Sequence, residues 1–349
     1  MTYPRSHLVD PDGGYYHVGS RCVRRAWLCG TDPTTGHNFD HRRQWLEDRI
    51  LQLAEIFAVD LCGYAVLSNH YHIVLKMDPH RVNNWKDEEV ADKWIQVCPR
   101  TPLHPDAAAR AKVRRAAMLE DRERLLVLRE RLGSLSWFMG FINEPLARLA
   151  NKEDRCKGLF WEARFSSQRL LDDNAILACM VYVDLNPVRA GMTDDVAKGE
   201  HTSLAKRTKE SRPDVLLRPI NQGSGPLPFD FSLADYTRLA EWTATAQQST
   251  RPVNLSAATF SVAKEYWLGS YLPKPCHWQR AIGSGQALKE YAKEIGQRWI
   301  RTRSQHLQVL FWRLTERSLL HAATVDHCDA YLAGCSERLY SSLIPSRHR

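Results

Sequence analysis

Two histidines, His70 and His72, stand two places apart in a β-forming run, His70-Tyr71-His72-Ile73-Val74-Leu75. Side chains at i and i+2 of a strand leave from one face, so this spacing can present two imidazoles to a single metal ion. Far downstream, Tyr182 and Asn186 are one helical turn apart. A tyrosine can attack a phosphodiester and hold the phosphate covalently, splitting cleavage into two transesterifications. A divalent metal neutralises phosphate charge and orients the phosphorus for in-line attack. Two imidazoles with the amide oxygen of Asn186 as third ligand would leave positions open for water and phosphate. That mixed set suits Mg2+ or Mn2+, although imidazoles alone would also accept zinc. Bond energy kept in a phosphotyrosine would let a free 3′-OH reseal the strand without ATP. Each part also has an ordinary alternative: HxH pairs are common, and a helical tyrosine is usually a core residue.

These residues need a strand and a helix that meet. In the strand, Tyr71, Ile73, Leu75 and Met77 alternate toward a core, leaving His70, His72 and Val74 on the other face. A preceding run, Leu61 to Leu67, reads as its hairpin partner across Ser68-Asn69. Upstream, Tyr15 to Arg21 reads as a strand, and Asp40 to Val59 as an amphipathic helix with Trp45, Ile50, Leu53, Ile56 and Phe57 on its apolar side. Residues 78–105 carry prolines and read as irregular. Ala107 to Leu132 reads as one long charged helix, its basic start (Arg110, Lys112, Arg114, Arg115) able to touch phosphates. A helix at Ser136 to Ala150 and a strand at Gly158 to Ser166, with Phe160, Trp161 and Phe165, follow. Asp172-Asp173-Asn174 opens the last helix, which Pro187 should end near Asn186. On it Ala175, Cys179, Tyr182 and Asn186 share one face. Asp184 lies about 200° round from Tyr182 and should point elsewhere.

The first six elements run β-α-β-β-α-β, which predicts an α+β fold with one antiparallel sheet, two helices on one face, and the other face left for a site. The catalytic part is expected over residues 1–200, with a helical insert at about 78–133. A linker is expected at 201–228 and a mostly helical region at 229–349, where Arg298, Trp299, Arg301, Arg303, Trp312 and Arg313 interleave aromatics with positive charge.

Composition agrees with a globular chain. Of 349 residues, 44% are hydrophobic and 25% charged, which excludes disordered and fibrous classes. No apolar run is long enough to span a bilayer, and Met1 to Gly14 is too polar for a secretory signal, so a cytoplasmic location is expected. The net charge of +8 favours polyanionic partners. Nine cysteines without a CxxC pair fit reduced, mostly buried thiols.

Several segments together resemble a known family. Residues 64–75, YAVLSNHYHIVL, are similar to the HUH signature of single-tyrosine transposases. FWEARF (160–165), YVDLNPVRAG (182–191) and YYHVGSRCVRR (15–25) resemble landmarks of the REP-associated tyrosine transposase branch, in the correct order. Tyr71 stands at the middle position where an aliphatic residue is usual, and Ser68 where proline is frequent. The resemblance covers roughly residues 13–200. It implies a ferredoxin-like HUH endonuclease domain that nicks and joins single-stranded DNA through a 5′-phosphotyrosine, at palindromic repeats that fold as hairpins. It makes His70 and His72 metal ligands, Tyr182 the nucleophile and Asn186 a third ligand. Arg21, Arg24, Arg25, Arg164 and Arg189 are candidate contacts to DNA phosphates. A DNA-binding protein that does not cut, and another HUH enzyme such as a replication initiator or relaxase, are the alternatives. Monomer and dimer are both open.

Overall fold

In the computed structural model, the described residues are 10–23, 28–32, 36–97, 105–221, 227–248 and 280–298, all within one unit that runs to Gln308. The fold is α+β, built on a five-stranded sheet. Its strands are β1 (Gly14–Arg21), β2 (Val59–Val66), β3 (His70–Met77), β4 (Ser166–Leu170) and the short β5 (Ala281–Ile282). They lie in the order β2-β3-β1-β4-β5, antiparallel except for the parallel pair β4–β5.

Alternation sorts the two faces. Tyr16 and Val18 of β1 and Tyr71, Ile73, Leu75 and Met77 of β3 are fully or almost fully buried in one core. Helix α1 (Asp40–Ile56) covers that face with Leu46, Ile50 and Leu53, a stripe at helical spacing. Phe57 follows it into the same core. Arg42, wholly buried near the start of α1, bonds Glu153 at 2.6 Å and Asp154 at 2.5 Å and so ties α1 to the end of α5 (Leu135–Glu153). Phe138, Ile142 and Leu146 of α5 complete the layer.

In β2 a bulge at Cys62 does what plain alternation could not. Leu61 pairs with Leu75 but Gly63 pairs with Val74, so one residue is extra. The slip returns Tyr64 and Val66 to the core and puts Gly63 and Ala65 on the opposite face. There α6 (Asp173–Asp184) lies against β2 and β3. A Cβ at Gly63 would meet Met180 Cγ of α6 at an ordinary 3.7 Å; the tight neighbour there is Ser203 Oγ, at 3.2 Å. Helix α6 is buried on all sides from Ala175 to Asp184 because α9 (Leu233–Gln248) packs against it from beyond the sheet. Asp184 points away from Tyr182, as expected. It accepts from Ser203 Oγ at 2.7 Å, the Leu204 amide at 3.0 Å and Tyr236 Oη at 2.6 Å. Asp184→Asn, which turns one acceptor toward these donors into a donor, should cost roughly 1–3 kcal/mol, read as a shifted denaturant midpoint at unchanged slope.

Several expectations are corrected. Residues 78–105 are not irregular throughout: a 3-10 turn, Pro79–Asn84, leads into α2 (Asp87–Val97), which buries Val90, Ala91, Trp94 and Val97. The long charged helix is two, α3 (Ala107–Glu120) and α4 (Arg122–Leu132). Asp121 leaves the helical region and caps the second by accepting from the Arg124 amide. Of its basic start, Arg115 is committed to Asp92. The strand expected at 158–166 begins only at Ser166. Before it, Trp161 makes an isolated bridge to Cys22, and its indole donates to the Asn143 carbonyl at 2.9 Å. The aromatics there serve the core edge rather than a ladder.

Of residues 201–228, expected to link, the described stretch to residue 221 carries α8 (Ser203–Glu210), which packs along β2. Thr202 bridges Ala65, Arg207 donates to the Cys62 carbonyl at 2.7 Å, and the Asn221 side chain bonds the backbone of Leu61, Ala54 and Val59. Beyond residue 228, the described residues include helices α9 and α10 (Gly285–Glu294). Trp299, Arg301, Arg303, Trp312 and Arg313 lie outside the described residues. Among the described residues, no helix is long and apolar enough to cross a membrane.

Candidate active site

The candidate residues gather on the non-core face of the sheet. Antiparallel register sets Arg21 opposite His70, Gly19 opposite His72 and His17 opposite Val74, so these side chains share one face. The ring centres of His70 and His72 are 4.9 Å apart. Tyr182 of α6 reaches this face: its ring centre is 5.9 Å from that of His72 and 6.1 Å from that of His17, both edge-on. Asp172 starts the helix that carries it, accepting from the Ala175 amide at 2.8 Å. The Arg189 guanidinium sits 4.7 Å over the Tyr182 ring.

Pro187 ends α6 at Asp184, yet the chain does not leave the helical path. Leu185 stays helical and a short turn α7, Asn186–Arg189, follows with proline in its first positions. Proline cannot donate to the Val183 carbonyl. The Asn186 side-chain amide takes over, donating to Tyr182 O at 3.0 Å and Val183 O at 3.4 Å. The continuation keeps Arg189 one and a half to two turns beyond Tyr182, where it can fold back over the ring.

Burial sets the charge states. It pushes His17 and His70 down to about 4, with the Arg21 charge adding to the effect on His70. His72 falls well below its ordinary value for the same reason, with His17, His70 and Arg21 contributing. All three imidazoles are therefore neutral near neutral pH, the form that ligates metals. Burial raises the Tyr182 phenol, while Arg189 and Arg21 pull it down.

The donor set fits a hard divalent ion completed by water. His70 Nδ1 is 2.6 Å from Asn69 Oδ1 and His72 Nδ1 is 3.0 Å from His17 Nε2, so each ring keeps Nε2 for a ligand. The amide nitrogen of Asn186 is spent within its helix, so only its oxygen could serve as a ligand. Among the described residues no group of three or more His, Cys, Asp or Glu is arranged to hold a metal.

The structure thus brings His70, His72, Tyr182, Arg189 and Arg21 together. The hydrogen bonds of Asn186 run to its own helix. Arg164 is exposed just before β4, and Arg24 and Arg25 lie outside the described residues. Sequence reasoning missed His17. Its signal was weak: it shares strand parity with Gly19 and Arg21, but only the register reveals its partner.

No protein-family model and no curated protein matches the chain. A solved structure described as the REP-associated tyrosine transposase bound to a REP hairpin overlaps 67% of this chain and 96% of its own, with 14% identity and a TM-score of 0.32. A score at that level carries no argument about this chain.

Proposed function

We propose that this chain is a metal-dependent enzyme that nicks and rejoins single-stranded DNA, of the REP-associated tyrosine transposase type, acting at hairpin-forming palindromic repeats. The observation that carries it is the Tyr182 ring of α6 edge-on to His72, whose own ring centre is 4.9 Å from that of His70. The strand order β2-β3-β1-β4, with α1 and α5 on one face, supports a ferredoxin-like HUH arrangement. In the reaction, Tyr182 Oη attacks phosphorus and the bond to the 3′ oxygen breaks. The tyrosine keeps the 5′ phosphate, and the departing oxygen takes a proton to become a 3′-OH. Attack by a 3′-OH reverses the step and frees Tyr182. Mg2+ or Mn2+ held by His70, His72 and Asn186 would neutralise the phosphate. Arg189 and Arg21 lower the cost of the phenolate that attack requires, and Arg21, Arg164 and Arg189 would meet the DNA backbone.

The test is a labelled hairpin oligonucleotide incubated with the protein and Mn2+ or Mg2+. A covalent protein–DNA adduct that survives denaturing electrophoresis is expected, and excess EDTA should remove it. Adducts that persist in EDTA would overturn the metal role. Binding with no adduct under either metal would instead favour a DNA-binding protein that does not cut.

A further inference from the structure

The nicking chemistry leaves His17 without a task, although it is buried at the centre of the site. Its two ring nitrogens are both engaged. Nδ1 lies 3.1 Å from Oε1 of Gln168 on β4, and Nε2 lies 3.0 Å from Nδ1 of His72 on β3. The sheet lines this chain up. Gln168 is the register partner of His17 across β1–β4, and Gly19 is the partner of His72 across β1–β3. Gly19 has no side chain, so the imidazoles of His17 and His72 can meet, with ring centres 4.9 Å apart.

The proton positions follow from what each group can do. An amide oxygen only accepts, so His17 carries its proton on Nδ1. A neutral imidazole has one N–H, so His17 Nε2 is an acceptor. The proton between the rings therefore belongs to His72 Nδ1. That leaves the lone pair of His72 on Nε2. Asn69 sets His70 by the same logic, its Oδ1 accepting from His70 Nδ1.

We propose that Gln168 and His17 are positioning residues: they hold His72 as its Nδ1–H tautomer and so present its Nε2 to the catalytic metal. This rests on the metal role of His72 given above. Partners of this kind fix both ring orientation and tautomer, and losing one typically costs about 10–100-fold in metal affinity.

The experiment uses the full chain labelled with 15N-histidine. In the metal-free protein, long-range 15N–1H correlation should assign the His72 proton to Nδ1. Mn2+ affinity is then measured for wild type, His17→Leu, His17→Gln and Gln168→Leu. A glutamine at 17 can place an amide oxygen near the former Nε2, so His17→Gln should stay close to wild type. His17→Leu should lose about 10–100-fold and release the His72 tautomer, and Gln168→Leu should shift in the same direction. A purely packing role for His17 would instead leave the tautomer in place and give leucine and glutamine equal affinity. A His72 proton found on Nε2 in wild type, or affinities unchanged in all variants, overturns the proposal. Wild type that binds no Mn2+ overturns the metal reading beneath it, a separate result from wild type that binds while its variants bind equally.

Discussion

Tyr182→Phe is expected to abolish covalent protein–DNA adducts, by at least about 10⁴-fold, while hairpin binding is largely kept. The magnitude is that of removing a nucleophile from a site whose other parts stay in place. The ring is what the structure packs: it meets His17 and His72 edge-on and lies under the Arg189 guanidinium. Phenylalanine keeps all three contacts and removes only the hydroxyl. The residue is 5% exposed, so little surface that could meet DNA changes. Adduct formation is read on a denaturing gel and binding by mobility shift. Undiminished adducts in this variant would place the covalent link on another residue.

Gly19→Val should also be strongly damaging, though less so, without touching a reacting atom. A Cβ at position 19 would lie 2.5 Å from the Tyr71 carbonyl oxygen and 3.2 Å from His72 Nδ1. The first contact is with backbone, which cannot swing aside as a side chain can. Strand β1 must draw away from β3, the two strands whose register sets the histidines side by side. Overpacking of this kind typically costs about 1–3 kcal/mol. The loss of alignment is the larger effect, because misplacing a reacting group by about 1 Å can cost roughly 100-fold in rate. Nicking measured below the variant's melting temperature separates the two, since folded protein should still cut at least about 100-fold more slowly. A folded Gly19→Val that cuts at the wild-type rate would show that the β1–β3 approach does not set the geometry of the site.

What the chain discloses in advance depends on how local the determining physics is. The parity of His70 and His72 follows from a period of two within one strand, and the start of α6 follows from a single capping aspartate. Both are properties of a few neighbouring residues. The bulge at Cys62 is not, because it is fixed by what β2 meets in β3 and under α6. His17 was silent for the same reason: one histidine in a strand says nothing until Gln168 and His72 are known to flank it. Gln168 sits in a polar strand, Ser166–Leu170, overshadowed by the aromatic run before it. Helix α2 was legible in the spacing of Val90, Trp94 and Val97 but was masked by flanking prolines. Residues 201–228 have a polar, turn-rich composition, and Arg207 and Asn221 find their partners only in the carbonyls and amides of β2.

Asp172 has two carboxylate oxygens and gives them to two distant parts of the chain. One caps the helix of Tyr182; the other accepts from the Ser284 amide at 2.6 Å, where β5 turns into α10. Beside it, Arg169 of β4 pairs with Asp10 and Glu294 and lies 5.1 Å from the Tyr291 ring. The start of the helix that carries Tyr182 is thus stitched to residues more than a hundred positions later. Severing the chain near residue 200 would not release a self-sufficient fold. It would strip β5 from one side of the sheet and the Thr202 bridge from the other, exposing two unpaired strand edges to any second copy that drifts by.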